Sequence, residues 1–202
     1  MNKKIENFWY YHKIKVFIVL FLVVSAIVTI KLTGKKIEPD ITLAYVTDGR
    51  VLPEDREKDI NRKLAAVIQD VNGDKKKQMA LVPLSGPQID LEFISGDLQV
   101  VLMDGNTLNK YIATGALEQV DEYLGKYKLD LSNNPEVSAT VEDGNTPHTY
   151  AIPVKNINFL LNVGFPPDNY YLTICGDKGK NDSDHNRNRN AHAIVDEMLK
   201  TE

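Results

Sequence analysis

The chain is poor in the residues from which most recognisable sites are built. One cysteine, Cys175, among 202 residues excludes an internal disulfide framework and a zinc or iron–sulfur centre made of thiolates. No glycine-x-serine-x-glycine elbow is present, since Ser85 stands in Leu84-Ser85-Gly86-Pro87. A phosphate loop ending in lysine is lacking, and so is a glycine-x-glycine-x-x-glycine turn opening a helix. No enzymatic activity and no cofactor are therefore expected. Asp182, Asp184, His185 and His192 are the one grouping that looks like metal ligands. A calcium loop starting at Asp182 needs glycine at its sixth position and glutamate at its twelfth, where the chain has Arg187 and Ala193. No metal is expected there, and His12 and His148 stand apart from any partner in sequence.

Excess positive charge is also missing. Lys and Arg number 24 against 28 Asp and Glu, a net charge of −4. Residues 1–32 hold five lysines and one glutamate, so residues 33–202 carry 19 basic against 27 acidic side chains, or −8. An acidic body excludes a nucleic-acid partner, because phosphate binding is driven by Lys and Arg.

What the chain does have is one long apolar run, Val16 to Ile30, interrupted only by Ser25 and Thr29. Extended from Ile14 to Leu32 it would rise roughly 28 Å as a helix, close to the roughly 30 Å hydrocarbon core. Lys15 and Lys31 then lift their ammonium groups to the two interfaces, and Trp9, Tyr10 and Tyr11 stand where headgroup-seeking rings belong. A buried core helix would need a polar outer face, which residues 16–24 lack. A cleaved signal is the stronger rival, because Val24-Ser25-Ala26 has the small side chains of a cleavage site, but Ile27 to Ile30 continue the apolar run past it. Four lysines precede the segment (Lys3, Lys4, Lys13, Lys15) and three follow it (Lys31, Lys35, Lys36), a bias that keeps the amino terminus inside. The organisation read from this is a cytoplasmic tail (1–13), a single transmembrane anchor (14–32), a tether (33–40) and an extracellular domain (41–202). Membrane lipid is the expected partner of the anchor.

Within the body, Ile41 to Gly49 alternates β-forming residues and closes on Asp48-Gly49, the pattern of a strand and its turn. Pro53-Glu54-Asp55 opens a helix carrying Ile60, Leu64, Val67, Ile68 and Val71 at helical spacing, with Gly73 as its stop. Gln78 to Leu84 predicts a second strand with Pro83 near its end. Gln88 to Ser95 predicts a short helix closed by Gly96, with Ile89 and Phe93 on its inner face and Ile94 as a further candidate. Leu98 to Met103 is an apolar run of the kind buried on both faces of a parallel sheet. Asp104-Gly105-Asn106-Thr107 starts a helix over Leu108, Tyr111 and Ile112 that Gly115 stops, and Ala116 to Leu124 predicts another. Thr149 to Val154 reads as a strand, and Ile157–Val163 or Tyr170–Cys175 as one more. Gly176 to Asn190 is polar and predicts an exposed loop, before a short helix over Ala191 to Leu199. Alternating strands and helices predict an α/β domain: one open, mostly parallel sheet with helices on both faces.

Leu91 to Leu124, a helix, a turn, a strand ending in Asp104 and a helix leading to Gly115-Ala116-Leu117, resembles the first lobe of type 2 extracellular solute-binding proteins. Thr149 to Val154 is similar to that family's tyrosine-x-isoleucine-proline strand, which leads toward the hinge. The amino terminus resembles uncharacterised membrane-anchored proteins of Gram-positive bacteria. In the family a second lobe follows the isoleucine-proline strand before a late return of the chain. Here about 38 positions separate Pro153 from Ala191, fewer than the roughly 50 residues of the smallest domains. The resemblance therefore implies the first lobe alone, and the Gram-positive members' lipid-bearing cysteine is replaced by the apolar helix.

In open parallel sheets ligands bind beyond the carboxyl ends of the strands. The polar residues expected there are Asp48, Ser85, Asp104 and Asn106, which are also the residue types that turn chains and cap helices. The function expected is a non-enzymatic, membrane-anchored extracellular binding or interaction module, with a protein partner or a transporter component. The alternative is a tethered receptor that binds a small polar molecule for a transporter.

Overall fold

The computed structural model describes residues 3–32, 39–47, 51–139, 147–176 and 182–200, and the chain divides into units of residues 1–38 and 39–202. In the first unit α1 (Lys3–Leu32) is one continuous helix of 30 residues. Its apolar part, Phe8–Thr29, spans 22 residues, which rise about 33 Å and suffice to cross a bilayer core. Phe17, Phe21, Leu22 and Val28 are all exposed, the reverse of the one-sided burial of a core helix. The helix starts well before Ile14, so Trp9, Tyr10 and Tyr11 belong to it rather than to a separate tail.

The body contains β1 (Ile41–Val46), α2 (Glu54–Leu64), β2 (Met79–Leu84), α3 (Gly86–Ser95), β3 (Val100–Asp104), α4 (Gly105–Ala113) and α5 (Asp121–Tyr127). After these come β4 (Ser138–Ala139), β5 (His148–Thr149), β6 (Ile152–Pro153), α6 (Asn158–Asn162), β7 (Tyr170–Ile174) and α7 (Asp182–Lys200). The main sheet has the order β2-β1-β3-β7-β6. β1 pairs in parallel with β2 and β3, and β7 is antiparallel to both β3 and β6. The sheet is thus mostly parallel, with β7 alone reversed. Pro83 is tolerated because β2 is an edge strand with no neighbour on its outer side to require that N–H. β4 and β5 form a separate antiparallel pair.

Alternation along the strands places a core on each face. Ile41, Leu43, Tyr45, Val100, Leu102, Leu172 and Ile174 face α2, α6 and α7, meeting Ile60, Leu64, Phe159, Leu160, Ile194 and Met198. Ala44, Val46, Val101, Met103 and Tyr171 face the other way, toward Ile89 of α3 and Leu108, Tyr111 and Ile112 of α4. Ile94 does not join them: it is 78% exposed, one residue past the inward stripe of so short a helix.

Several boundaries differ from those the spacing predicts. α2 ends at Leu64, and Ile68 is buried from the turn that follows rather than from the helix. The helix expected over Ala116–Leu124 begins only at Asp121, because Leu117 forms a β-bridge with Cys175. Residues 158–162 form a helix and leave Tyr170–Ile174 as the strand. The polar loop expected over 176–190 is helical from Asp182 onward, residues 177–181 lying outside the described residues. Asp182 and Asp184 occupy the first turn of α7, where carboxylates favour the helix dipole. The apolar second half anchors it through Ala191, Ile194, Val195 and Met198.

The polar half of α7 is held by bonds that periodicity does not reveal. Buried Asn190 accepts from the Gln69 amide (2.8 Å) and donates to the carbonyls of Gln69 (2.9 Å) and Asp40 (3.2 Å). Asp40, fully buried, accepts from the amides of Val71 (2.7 Å), Asn72 (3.2 Å) and Gln78 (2.7 Å). The loop between α2 and β2 is thereby tied to the start of β1.

Candidate ligand-binding cleft at the carboxyl edge

β1 and β3 end on the same edge of the sheet, and the starts of α3 and α4 lie beside them because each helix follows its strand within a residue or two. Two further segments converge there. Residues 51–53 are held by the Leu52 amide, which donates to the Tyr45 hydroxyl at 3.1 Å. The connection from α6 to β7 is held by the Phe165 ring, edge-on to Tyr45 with centroids 5.6 Å apart, and by the Tyr170 hydroxyl, which donates to the Val46 carbonyl. Asn169, at φ 55°, turns its amide oxygen onto the Gly105 N–H (3.2 Å). A side chain at Gly105 would place its Cβ 2.6 Å from that oxygen, so glycine lets the connection close against α4.

These segments enclose a cleft of about 740 Å³, within the usual range of small-molecule sites. Tyr45, Leu52 and Pro53 form one side, Gly86, Asp104 and Thr107 the helix starts, and Phe165, Pro166, Asp168, Asn169 and Tyr170 the opposite wall.

The residues expected from sequence are only partly gathered. Asp104 lines the cleft, but its Oδ1 accepts from the amides of Asn106 (2.9 Å) and Thr107 (3.0 Å) and its Oδ2 from the Thr107 hydroxyl (3.0 Å). Ser85 is exposed and spends its amide (2.9 Å) and hydroxyl (2.8 Å) on the Gln88 side-chain oxygen. Asn106 is exposed on the first turn of α4 and does not line the cleft. Asp48 lies outside the described residues. Capping thus accounts for Ser85 and, in large part, for Asp104. Sequence reading missed the wall from Gly164 to Tyr170, whose one local signal is the turn-forming Pro166-Pro167-Asp168-Asn169.

A second polar cluster joins α5 to α7. His192 Nε2 lies 3.0 Å from Glu118 Oε2, and Nδ1 lies 2.6 Å from the Tyr123 hydroxyl and 3.7 Å from Glu122. Asn188 donates to the other Glu118 oxygen at 2.7 Å. Lys126 and the Tyr127 hydroxyl bind Asp196 at 2.6 and 2.8 Å. A carboxylate–imidazole–phenol chain could in principle move protons, but Tyr123 is 2% exposed, which leaves no room for a substrate at its oxygen. The cluster is a latch. His148, expected to stand alone, is likewise paired, its Nδ1 2.8 Å from Asp121. Although burial opposes it, the Thr149 amide and the His148 ring hold the Asp121 carboxyl below the usual carboxylate range. Among the described residues no three His, Cys, Asp or Glu side chains gather as metal ligands.

The Glu118 hydrogen bond raises the His192 pKa against the opposing effect of burial. The folded state therefore favours the imidazolium. Its contribution is fully present below the unfolded value of about 6.5 and is lost as pH rises through the higher folded value. The denaturation midpoint of the full chain should fall from about pH 6 to pH 8, and His192→Gln should remove that slope. Equal slopes in the two proteins would assign the pH dependence elsewhere.

In comparisons with known proteins, no family model and no curated protein matches this chain.

Proposed function

We propose that this chain is a membrane-anchored, externally displayed binding module, built like one lobe of a type 2 solute-binding protein and closed on its ligand without a second lobe. The observation that carries the reading is the cleft at the carboxyl edge. Its far wall is supplied by the short link between β6 and β7, at the point in the chain where the resemblance implies an inserted lobe. The return of the chain as β7, reversed between β3 and β6, supports the same reading, since the resemblance implies a late return after the isoleucine-proline strand. The enclosed volume favours a small molecule over a protein partner. Lys3, Lys4, Lys13 and Lys15 before the apolar run Val16 to Ile30, against Lys31, Lys35 and Lys36 after it, support an external body.

Thermal unfolding of the full chain in detergent, with a panel of sugars, amino acids and oligopeptides, tests the binding role. At least one compound should raise the midpoint by several degrees, as expected at about a hundredfold excess over its dissociation constant. Val51→Trp fills the mouth from a residue that is 63% exposed, and it should abolish the shift. A panel without effect, or shifts untouched by Val51→Trp, would remove the cleft from consideration. Protease accessibility on intact cells tests the side of display.

A further inference from the structure

The electrostatics of the cleft select the charge of its ligand. An anion at the edge of a parallel sheet is ordinarily held by several free amides at helix starts, and here those amides, that of Gly86 apart, are already taken or missing. In α4 the Gly105 amide is bound by Asn169, and the Asn106 and Thr107 amides by the Asp104 carboxylate. In α3 the second residue is Pro87, which has no N–H, and the Gln88 amide is bonded to the Ser85 carbonyl at 2.9 Å. The helix start that an anion would use carries a carboxylate of the chain itself.

The remaining charge points the same way. The described lining contains two carboxylates, Asp104 and Asp168, and no Lys, Arg or His. Asp168 is exposed at the wall and has no hydrogen-bond or ion-pair partner among the described residues. Asp104 has one acceptor direction left of about four. Beside them the cleft is lined by the half-buried Tyr170 and by Tyr45 and Phe165, which are 4% and 5% exposed, and which offer apolar surface to the body of a ligand. The body as a whole carries the −8 that draws cations toward it.

We infer that the cleft binds an organic ammonium compound, with the amine on Asp168 and the remaining acceptor of Asp104, and an apolar or flat body against Tyr45, Phe165 and Pro166. The inference rests on the binding role proposed above and names the ligand class of the same cleft.

The test uses ligand-observed NMR on the full chain in detergent with matched pairs that differ in charge: benzylamine with phenylacetate, phenethylamine with phenylpropanoate, butylamine with pentanoate. The amines should bind and the acids should not. Asp168→Asn should weaken amine binding about tenfold, the size of one lost charge-assisted contact, whereas Asp168→Glu should largely restore it. Val51→Trp should abolish binding altogether. Acids that bind as well as amines, and lose binding in Val51→Trp, would overturn the charge assignment while leaving the cleft as a binding site. Amine binding indifferent to Asp168→Asn would overturn it as well. Binding by neither class would overturn the charge assignment and leave the binding role to the thermal panel above, whereas binding that persists in Val51→Trp would overturn both by placing it outside the cleft.

Discussion

Asp40→Ala should destabilise the body by about 3–5 kcal/mol, the range for breaking a buried, hydrogen-bonded charge network. The carboxylate is fully buried and is the acceptor for three amides, those of Val71, Asn72 and Gln78. Alanine leaves all three without their partner and opens a void beneath the carbonyl that Asn190 binds. Domains of this size are stable by roughly 5–15 kcal/mol, so the loss is a large share of the total. The thermal midpoint should drop by roughly 10 °C or more. Asp40→Asn keeps one acceptor oxygen but aims an NH₂ donor at an amide, and should fall between alanine and the native residue. Denaturant titrations of the three proteins measure this directly. A midpoint for Asp40→Ala within about 1 kcal/mol of the native protein would mean that water replaces the carboxylate without penalty.

Ile18→Arg combined with Leu22→Arg should release the chain from membranes. The two positions lie one helical turn apart near the middle of Phe8–Thr29. Each exchange of an aliphatic residue for arginine at mid-bilayer costs about 3 kcal/mol, so the pair costs roughly 6 kcal/mol. The native chain should stay in the membrane pellet under alkaline carbonate extraction, and the double variant should appear in the supernatant. Exchanges at Lys3 and Lys4, outside that stretch, should leave the chain in the pellet. Native protein recovered without detergent, and shortened past Ala26, would identify α1 as a removed signal rather than an anchor.

The two variants report on different physics. Retention of α1 in a bilayer would depend on transfer of side chains to hydrocarbon, a sum over single residues that composition and length already contain. Asp40 depends on where backbone amides of a distant loop come to rest. No local pattern marks that carboxylate as buried, and in sequence it reads as one more polar residue of the tether.

The same division runs through the body. Strand β1 was legible because β-forming residues alternate along it, β3 because it is an apolar run, and α4 because Asp104, Leu108, Tyr111, Ile112 and Gly115 carry both cap and periodicity. The first half of α7 was illegible for the opposite reason. It is helical with hardly an apolar face, held by Asn188 and Asn190 through partners at Glu118, Gln69 and Asp40. The site was legible only as an edge: Asp104 could be placed there as a helix cap, but not the segment that faces it across the cleft. Phe165, Asp168 and Asn169 were missed, because only the place of β7 between β3 and β6 brings them to that edge.

Composition and local order by themselves determined an apolar helix long enough to cross a bilayer, an acidic α/β body and the strand ends at which a ligand site would form. Those properties follow from side-chain chemistry and near-neighbour spacing. The reversal of β7, the wall it brings across the strand ends and the filling of the Gly105 amide by Asn169 were decided by tertiary structure alone. Each joins groups far apart in the chain, and only the packed sheet sets which donor meets which acceptor.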